Sequence, residues 1–196
     1  MKNTSLLIIG CGSIGQSIAA QASDVDALTV FGASRSPRVN AGIQMHSADY
    51  TDASSMSLLL EECRAEYLLL TLTPADYSEQ GYRSRYLEGT RNVLSAIRYR
   101  PRRIFFVSST SVYGQNDGST VDETSPTNPD GFSGQTMLQC EQTLSDSGLP
   151  FTSIRFGGIY GPDSTRLIDK VRARDFSAGE HFTNRIHRYD CAALIL

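Results

Sequence analysis

Cysteine is sparse and scattered in this chain: Cys11, Cys63, Cys140 and Cys191 lie far apart in 196 residues and include no C-x-x-C pair. Neither a disulfide framework nor a metal site is therefore expected, and reduced thiols in a cytoplasmic protein are the simplest reading. No apolar run approaches the ~20 residues of a membrane span, and the opening Met-Lys-Asn-Thr-Ser runs straight into a strand. That speaks against a membrane partner and against export. Positive charge is not in excess either, since eighteen basic residues face twenty-one acidic ones for a net charge of −3. Nucleic-acid binding thus has no compositional support. Internal repeats and low-complexity stretches are absent. What remains is a soluble globular chain, 40% hydrophobic, able to bury a full core as one domain or one domain plus an appendage, with a small molecule as its expected partner.

The chain is organised around Ser5-Leu-Leu-Ile-Ile-Gly-Cys-Gly-Ser-Ile-Gly15, an apolar run that stops at a glycine and passes into a helical pattern. Gly10, Gly12 and Gly15 stand at G-x-G-x-x-G spacing, which gives each a mechanical task if the turn holds a dinucleotide. Gly10 allows the sharp turn, Gly12 lets the backbone touch the pyrophosphate, and Gly15 lets the helix Ser13–Ala20 lie against the strand. Cys11, Ser13 and Ile14 complete this expected cofactor contact. Free amides at the positive end of the helix attract an anion without any basic side chain. Cys11 reads as a small residue that fits the turn. The plain alternative is an ordinary strand-to-helix connection.

Further along, apolar runs alternate with helical periodicity, the pattern of a doubly wound α/β fold with a parallel sheet. Strands are expected at Leu6–Ile9, Leu28–Phe31, Ile43–His46, Tyr67–Leu72, Ile104–Ser108 and Phe151–Arg155. Helices are expected near Ala53–Cys63, Ser78–Arg98 and Thr136–Asp146. A long loop, Thr110 to about Ser133, carries turn residues including Pro126 and Pro129, and loops of that length are usually functional or mobile.

The end of the second strand bears on cofactor choice, because an NAD site usually places an acid there for the ribose hydroxyls. Here the chain reads Phe31-Gly-Ala-Ser-Arg35, with Arg38 following. Ser34 and Arg35 can instead hydrogen-bond and neutralise a 2′-phosphate, so NADP is preferred over NAD; the alternative is that Arg35 and Arg38 are solvated loop charges. Asp49 stands where a side chain reaches the adenine edge, and serves equally as a turn residue or, with Asp52, a helix cap. Thr71, at the end of the fourth strand, joins the expected cofactor contacts.

At the fifth strand, Phe105-Phe-Val-Ser-Ser-Thr-Ser-Val-Tyr-Gly114 gathers hydroxyls where a parallel strand ends, the place where such sheets bind ligands. This segment, the glycine turn, Gly89-Thr-Arg-Asn-Val-Leu94, Ile154-Arg-Phe-Gly-Gly-Ile-Tyr-Gly-Pro162 and Thr183-Asn-Arg-Ile-His-Arg-Tyr-Asp190 run in order across nearly the whole chain. Together they resemble the extended short-chain dehydrogenase/reductases, the NAD-dependent epimerase/dehydratases, and in particular their atypical nucleotide-sugar-epimerase-like members. The resemblance implies a Rossmann-type domain over residues 1–156 that binds a nicotinamide dinucleotide, with a partial substrate-binding portion over 157–196. It also implies a nucleotide sugar or related small-molecule substrate and hydride transfer; a homodimer is compatible with the sequence. Ser108 falls beside the cofactor and Ser109 on the family's substrate-steadying hydroxyl.

The family's proton-transferring tyrosine, with a lysine four residues later, does not survive. Counting back from Glu141 puts Ser133 and Met137 at those positions, and shifting the frame by one gives Phe132 and Thr136. A phenol titrating at about 10 needs a nearby cation before it serves as a base, and neither serine nor methionine supplies the pair. Tyr86 stands in the region of the usual asparagine on the long helix. Three readings stay open: an enzyme whose proton donor has moved, with Tyr113, Tyr82 or Tyr86 as candidates; a non-catalytic NADP-binding sensor or interaction protein; and a methyltransferase using the glycine turn for another nucleotide. Arg155 either contacts a substrate phosphate or pairs with a nearby acid. His187 and His181 lack ligand spacing, Asp190 reads as a helix N-cap, His187 as an orienting hydrogen bond before it, and His46 as structural. The final helix shows neither a polar face nor a stop signal, which suits a fragment or a shortened substrate region.

Overall fold

A computed structural model of the chain describes residues 3–22, 25–37, 43–162, 164–175 and 183–196; Arg38 and His181 lie outside them. The elements run β1 (Thr4–Ile9), α1 (Ser13–Ala22), β2 (Leu28–Ser34), β3 (Gln44–Ser47), α2 (Ala53–Cys63), β4 (Tyr67–Leu70), α3 (Glu79–Tyr82), α4 (Glu88–Ala96), β5 (Arg103–Ser109), α5 (Phe132–Asp146), β6 (Phe151–Phe156), β7 (Gly158–Tyr160), α6 (Arg166–Arg172), β8 (Arg185–His187) and α7 (Arg188–Ile195). β1 to β6 form one parallel sheet in the order β3-β2-β1-β4-β5-β6, and β7 pairs β8 apart from it. The order reverses between β1 and β4. In an open α/β sheet that reversal leaves a crevice outside the carboxyl ends of the two strands.

Unbroken apolar character in β1 follows from burial on both faces. Leu7 and Ile9 belong to the core shared with α2, α4 and α5, while Leu6 and Ile8 belong to the core shared with α1 and α7. Leu7, Ile8, Leu68, Leu69 and Leu70 are fully buried, each stabilising the fold by roughly 1.5–3 kcal/mol relative to exposure. The expected boundary after residue 156 falls between β6 and β7. α7, beyond it, sends Cys191 and Ala192 into the core beside Leu6, Ile8 and Ile18.

Several boundaries differ from expectation for identifiable reasons. β4 stops at Leu70, and Thr71 continues only by one amide bond to Ile9 O at 3.0 Å. The long helix is capped by Ser78 and stops at Ala96, and residues Arg83–Leu87 form a π-helical turn between α3 and α4. α5 starts at Phe132, four residues before the expected Thr136. A Cβ on Gly134 would sit 2.1 Å from Ser111 O and 2.6 Å from Pro129 Cβ. The glycine is what lets the first turn of α5 touch the loop after β5.

Candidate functional site

The turn after β1 divides its labour among three glycines. Gly10 adopts φ +82°, a left-handed conformation that costs glycine least. Its N–H and that of Cys11 both donate to Ala33 O, at 3.0 and 2.8 Å, and Thr71 Oγ1 donates to Gly10 O at 2.8 Å. Thr71 is 4% exposed, so its hydroxyl holds the turn from below. A Cβ on Gly12 would meet nothing nearer than Gly10 O at 3.8 Å, whereas one on Gly15 would lie 2.8 Å from Cys11 Sγ and 3.1 Å from Ile8 Cγ2. Gly12 therefore faces open space, and Gly15 lets α1 press onto β1. Gly12 N–H is spent on Gly10 O at 2.6 Å, which leaves the amides of Ser13, Ile14 and Gly15 at the start of α1 to face an anion. Burial pushes the Cys11 thiol up to about 11, although the Gln16 side chain lowers it; the protonated sulfur fills space.

Above this turn opens a crevice of about 650 Å3. Gly10, Cys11, Gly12 and Ser13 form its floor, and Ser34 and Arg35 stand at the end of β2 as the sequence places them. Ser36, Gln16, Ser17, Ala20, Tyr50, Thr73 and Arg188 also line it. The α1 members follow Ser13 at helical spacing and are legible in retrospect. Tyr50, whose hydroxyl donates to Thr73 O at 3.0 Å, and Arg188 arrive through topology alone.

Asp49 is a turn residue. Its Oδ1 accepts from Thr51 N at 2.9 Å and Thr51 Oγ1 at 2.7 Å, with Arg85 Nη1 at 3.7 Å, while Asp52 caps α2. Partial burial pulls the Asp49 carboxyl upward, but the Thr51 hydrogen bonds and the Arg85 and Arg35 cations hold it below the usual carboxylate range.

A second cluster ties β5, α5 and β6 together. Ser108 Oγ donates to Glu141 Oε1 at 2.6 Å; Arg155 Nε donates to the same oxygen at 3.0 Å and Nη2 to Oε2 at 2.6 Å. Arg155 Nη1 donates to the Tyr113 hydroxyl at 2.9 Å, with the guanidinium 5.0 Å from the ring centre. Of the two roles weighed for Arg155, pairing with an acid is the one observed, and Ser108 is buried and spent on the same carboxylate. Glu141, 7% exposed, is the member that sequence reading used merely as a counting mark. Ser109 Oγ accepts from Ser111 N at 3.1 Å and caps a 3-10 turn, Thr110–Val112. Tyr113 and Arg155 also line an open cavity of about 610 Å3 with Thr110, Asp122, Glu123 and Asn184.

Met137 is 3% exposed. Tyr77, Tyr82, Tyr86 and Phe132 form a ring cluster with centroids 5.2–5.7 Å apart. Burial, then Tyr82, Tyr50 and Cys140, drive the Tyr86 phenol well above its ordinary value, and burial and Tyr77 raise Tyr82. Both hold their protons near neutral pH and are poor bases there.

The expected Asp190 cap is corrected: α7 begins at Arg188, so Asp190 lies in its first turn, and His187 caps it by accepting from Tyr189 N at 3.3 Å. His46 lies between Cys63 Sγ and Glu62 Oε1, each at 3.6 Å. Among the described residues no group of three or more His, Cys, Asp or Glu side chains is placed to hold a metal, and no helix is long and apolar enough to cross a membrane.

Strand order, glycine turn and crevice define a Rossmann-type doubly wound domain. The model of the NAD dependent epimerase/dehydratase family matches residues 6–185, and the chain belongs to that family. It is 37% identical over 150 residues to Protein YeeZ of Escherichia coli K12, covering 74% of this chain and 51% of that protein. The chain thus spans about half the length of the curated relatives it matches. A candidate NAD-dependent epimerase/dehydratase from Methylobacillus flagellatus superposes with TM-score 0.81 at 36% identity, over 99% of this chain and 69% of that one. The Bacillus cereus UDP-glucuronic acid 4-epimerase, solved with UDP-glucuronic acid and NAD, gives 0.80 at 20% identity over 96% and 71% and shows the fold alone.

Proposed function

We propose that the chain binds a nicotinamide dinucleotide in the crevice above the Gly10–Gly15 turn, with NADP preferred to NAD, as a cytoplasmic member of its family. The observation that carries this reading is the crevice itself, floored by Gly10, Gly12 and Ser13 and bordered by Ser34 and Arg35. Support for the cofactor class comes from the NAD bound in the Bacillus cereus enzyme of the same fold. A diphosphate on the amides of α1 and a 2′-phosphate beside Arg35 account for these residues. The bound coenzyme supplies hydride to, or takes it from, a nucleotide sugar or related hydroxyl or keto substrate. Ser109 steadies the substrate oxygen and Tyr113 moves the proton, its oxygen already accepting an N–H from Arg155 at 2.9 Å. Residues 157–196 contribute part of the substrate side.

Fluorescence titration should show tighter binding of NADPH than of NADH, and Arg35→Ala should remove that preference, a change of roughly tenfold or about 1.4 kcal/mol. Equal losses for both coenzymes would reject the role of Arg35.

A second reading, a non-catalytic NADP-binding sensor, is favoured by Ser133 and Met137 standing where the family's tyrosine and lysine belong, and by the raised phenols of Tyr82 and Tyr86. The two readings part on turnover. A catalytic Tyr113 predicts that Tyr113→Phe lowers NADPH-dependent turnover of a sugar nucleotide by at least about a hundredfold with coenzyme binding intact. Tight coenzyme binding by the wild type without turnover decides for the sensor.

A further inference from the structure

Arg188 lies some 150 residues downstream of Arg35, yet it lines the same crevice, with Gly12, Ser13, Gln16 and Ser17. Its helix is held firmly. Cys191 and Ala192 are fully buried, His187 caps the first turn, and Gln21 Nε2 donates to Tyr189 O at 3.0 Å, tying α7 to α1. The side chain has a slot of its own, because a Cβ on Gly161 would sit 2.9 Å from Arg188 Nε, 3.0 Å from Cδ and 3.1 Å from Cγ. Glycine at 161 is what allows the arginine stem to pass there on its way to the crevice. An arginine lining the crevice whose floor is the start of α1 can meet an anion held on the amides there.

We infer that Arg188 is a diphosphate-binding residue, which closes from α7 over the dinucleotide whose linker rests on the start of α1. This rests on the dinucleotide reading above and adds a division of labour: Arg188 serves the linker common to both coenzymes, and Arg35 serves the 2′-phosphate. The C-terminal helix then contributes directly to coenzyme affinity.

The test titrates NADH and NADPH into the wild type, Arg188→Gln, Arg188→Lys, Gly161→Ala and Arg35→Ala at low salt. Arg188→Gln should weaken both coenzymes by the same factor, roughly tenfold to a hundredfold, and Arg188→Lys should recover part of the loss. Gly161→Ala crowds only the stem of a flexible side chain, so it should reproduce part of the loss with a melting temperature near the wild type. Unchanged affinity in Arg188→Gln overturns the inference while leaving the dinucleotide reading intact. A loss confined to NADPH also overturns it, since it moves Arg188 to the 2′-phosphate. A wild type that binds neither coenzyme overturns both.

Discussion

Replacing Glu141 by alanine is expected to destabilise the fold by roughly 3–5 kcal/mol, the usual cost of removing one partner from a buried ion pair. The side chains of Arg155 and Glu141 are 21% and 9% exposed, so the stranded guanidinium cannot recover full hydration. Both of its hydrogen bonds to the carboxylate are lost, as is the bond from Ser108. At about 2–4 °C per kcal/mol for a chain of this size, thermal unfolding should shift down by about 10 °C. Glu141→Leu combined with Arg155→Met should restore much of that loss, because a well-packed apolar pair removes the uncompensated charge. A melting temperature within a degree or two of the wild type in Glu141→Ala would show that the cluster contributes little.

Two substitutions in the glycine turn should separate folding from binding. Gly10→Ala forces a side chain into φ +82° and sets its Cβ 2.8 Å from Thr71 O and 3.2 Å from Thr71 C, both backbone atoms that cannot step aside. The left-handed conformation alone costs about 1–3 kcal/mol, and the collision adds to it, so denaturant unfolding should show a loss above roughly 3 kcal/mol. Gly12→Ala meets nothing within 3.8 Å. It should unfold within about 0.5 kcal/mol of the wild type and still bind NADPH at least tenfold more weakly, because its methyl group occupies space that the diphosphate would take. Equal stability of the two variants would refute the assignment of separate tasks to the two glycines.

Much of this was legible before any coordinates. The doubly wound sheet showed itself in apolar runs such as Leu6–Ile9 and Leu68–Leu70, buried on both faces, and the turn showed itself because Gly10 and Gly15 each answer a different steric demand. Legibility failed where a residue's task is set by a distant neighbour. Gly134 is explained only once Ser111 is brought against it, and β7 and β8 are three-residue strands separated by twenty-four residues. Their pairing carries no periodicity to detect. Tyr50, Thr73 and Arg188 reach the crevice from three unconnected segments, so no local spacing announces them. Glu141 was visible as a letter in a motif, but its bonds to β5 and β6 depend on the sheet being closed.

The π turn at Arg83–Leu87 shows how one helix can satisfy two surfaces. Glu88 N–H reaches back to Arg83 O instead of one residue less, and one extra residue in a turn rotates everything after it by about 100°. Upstream, Tyr82 meets Phe132; downstream, Gly89 lies against Tyr50, where a Cβ would come within 2.8 Å of the ring, and Val93 is fully buried. A regular helix with the same sequence would keep one of these registers and turn the other toward solvent. The bulge acts as a phase shifter, letting the same rod serve the aromatic cluster at one end and, through Tyr50, the wall of the crevice at the other.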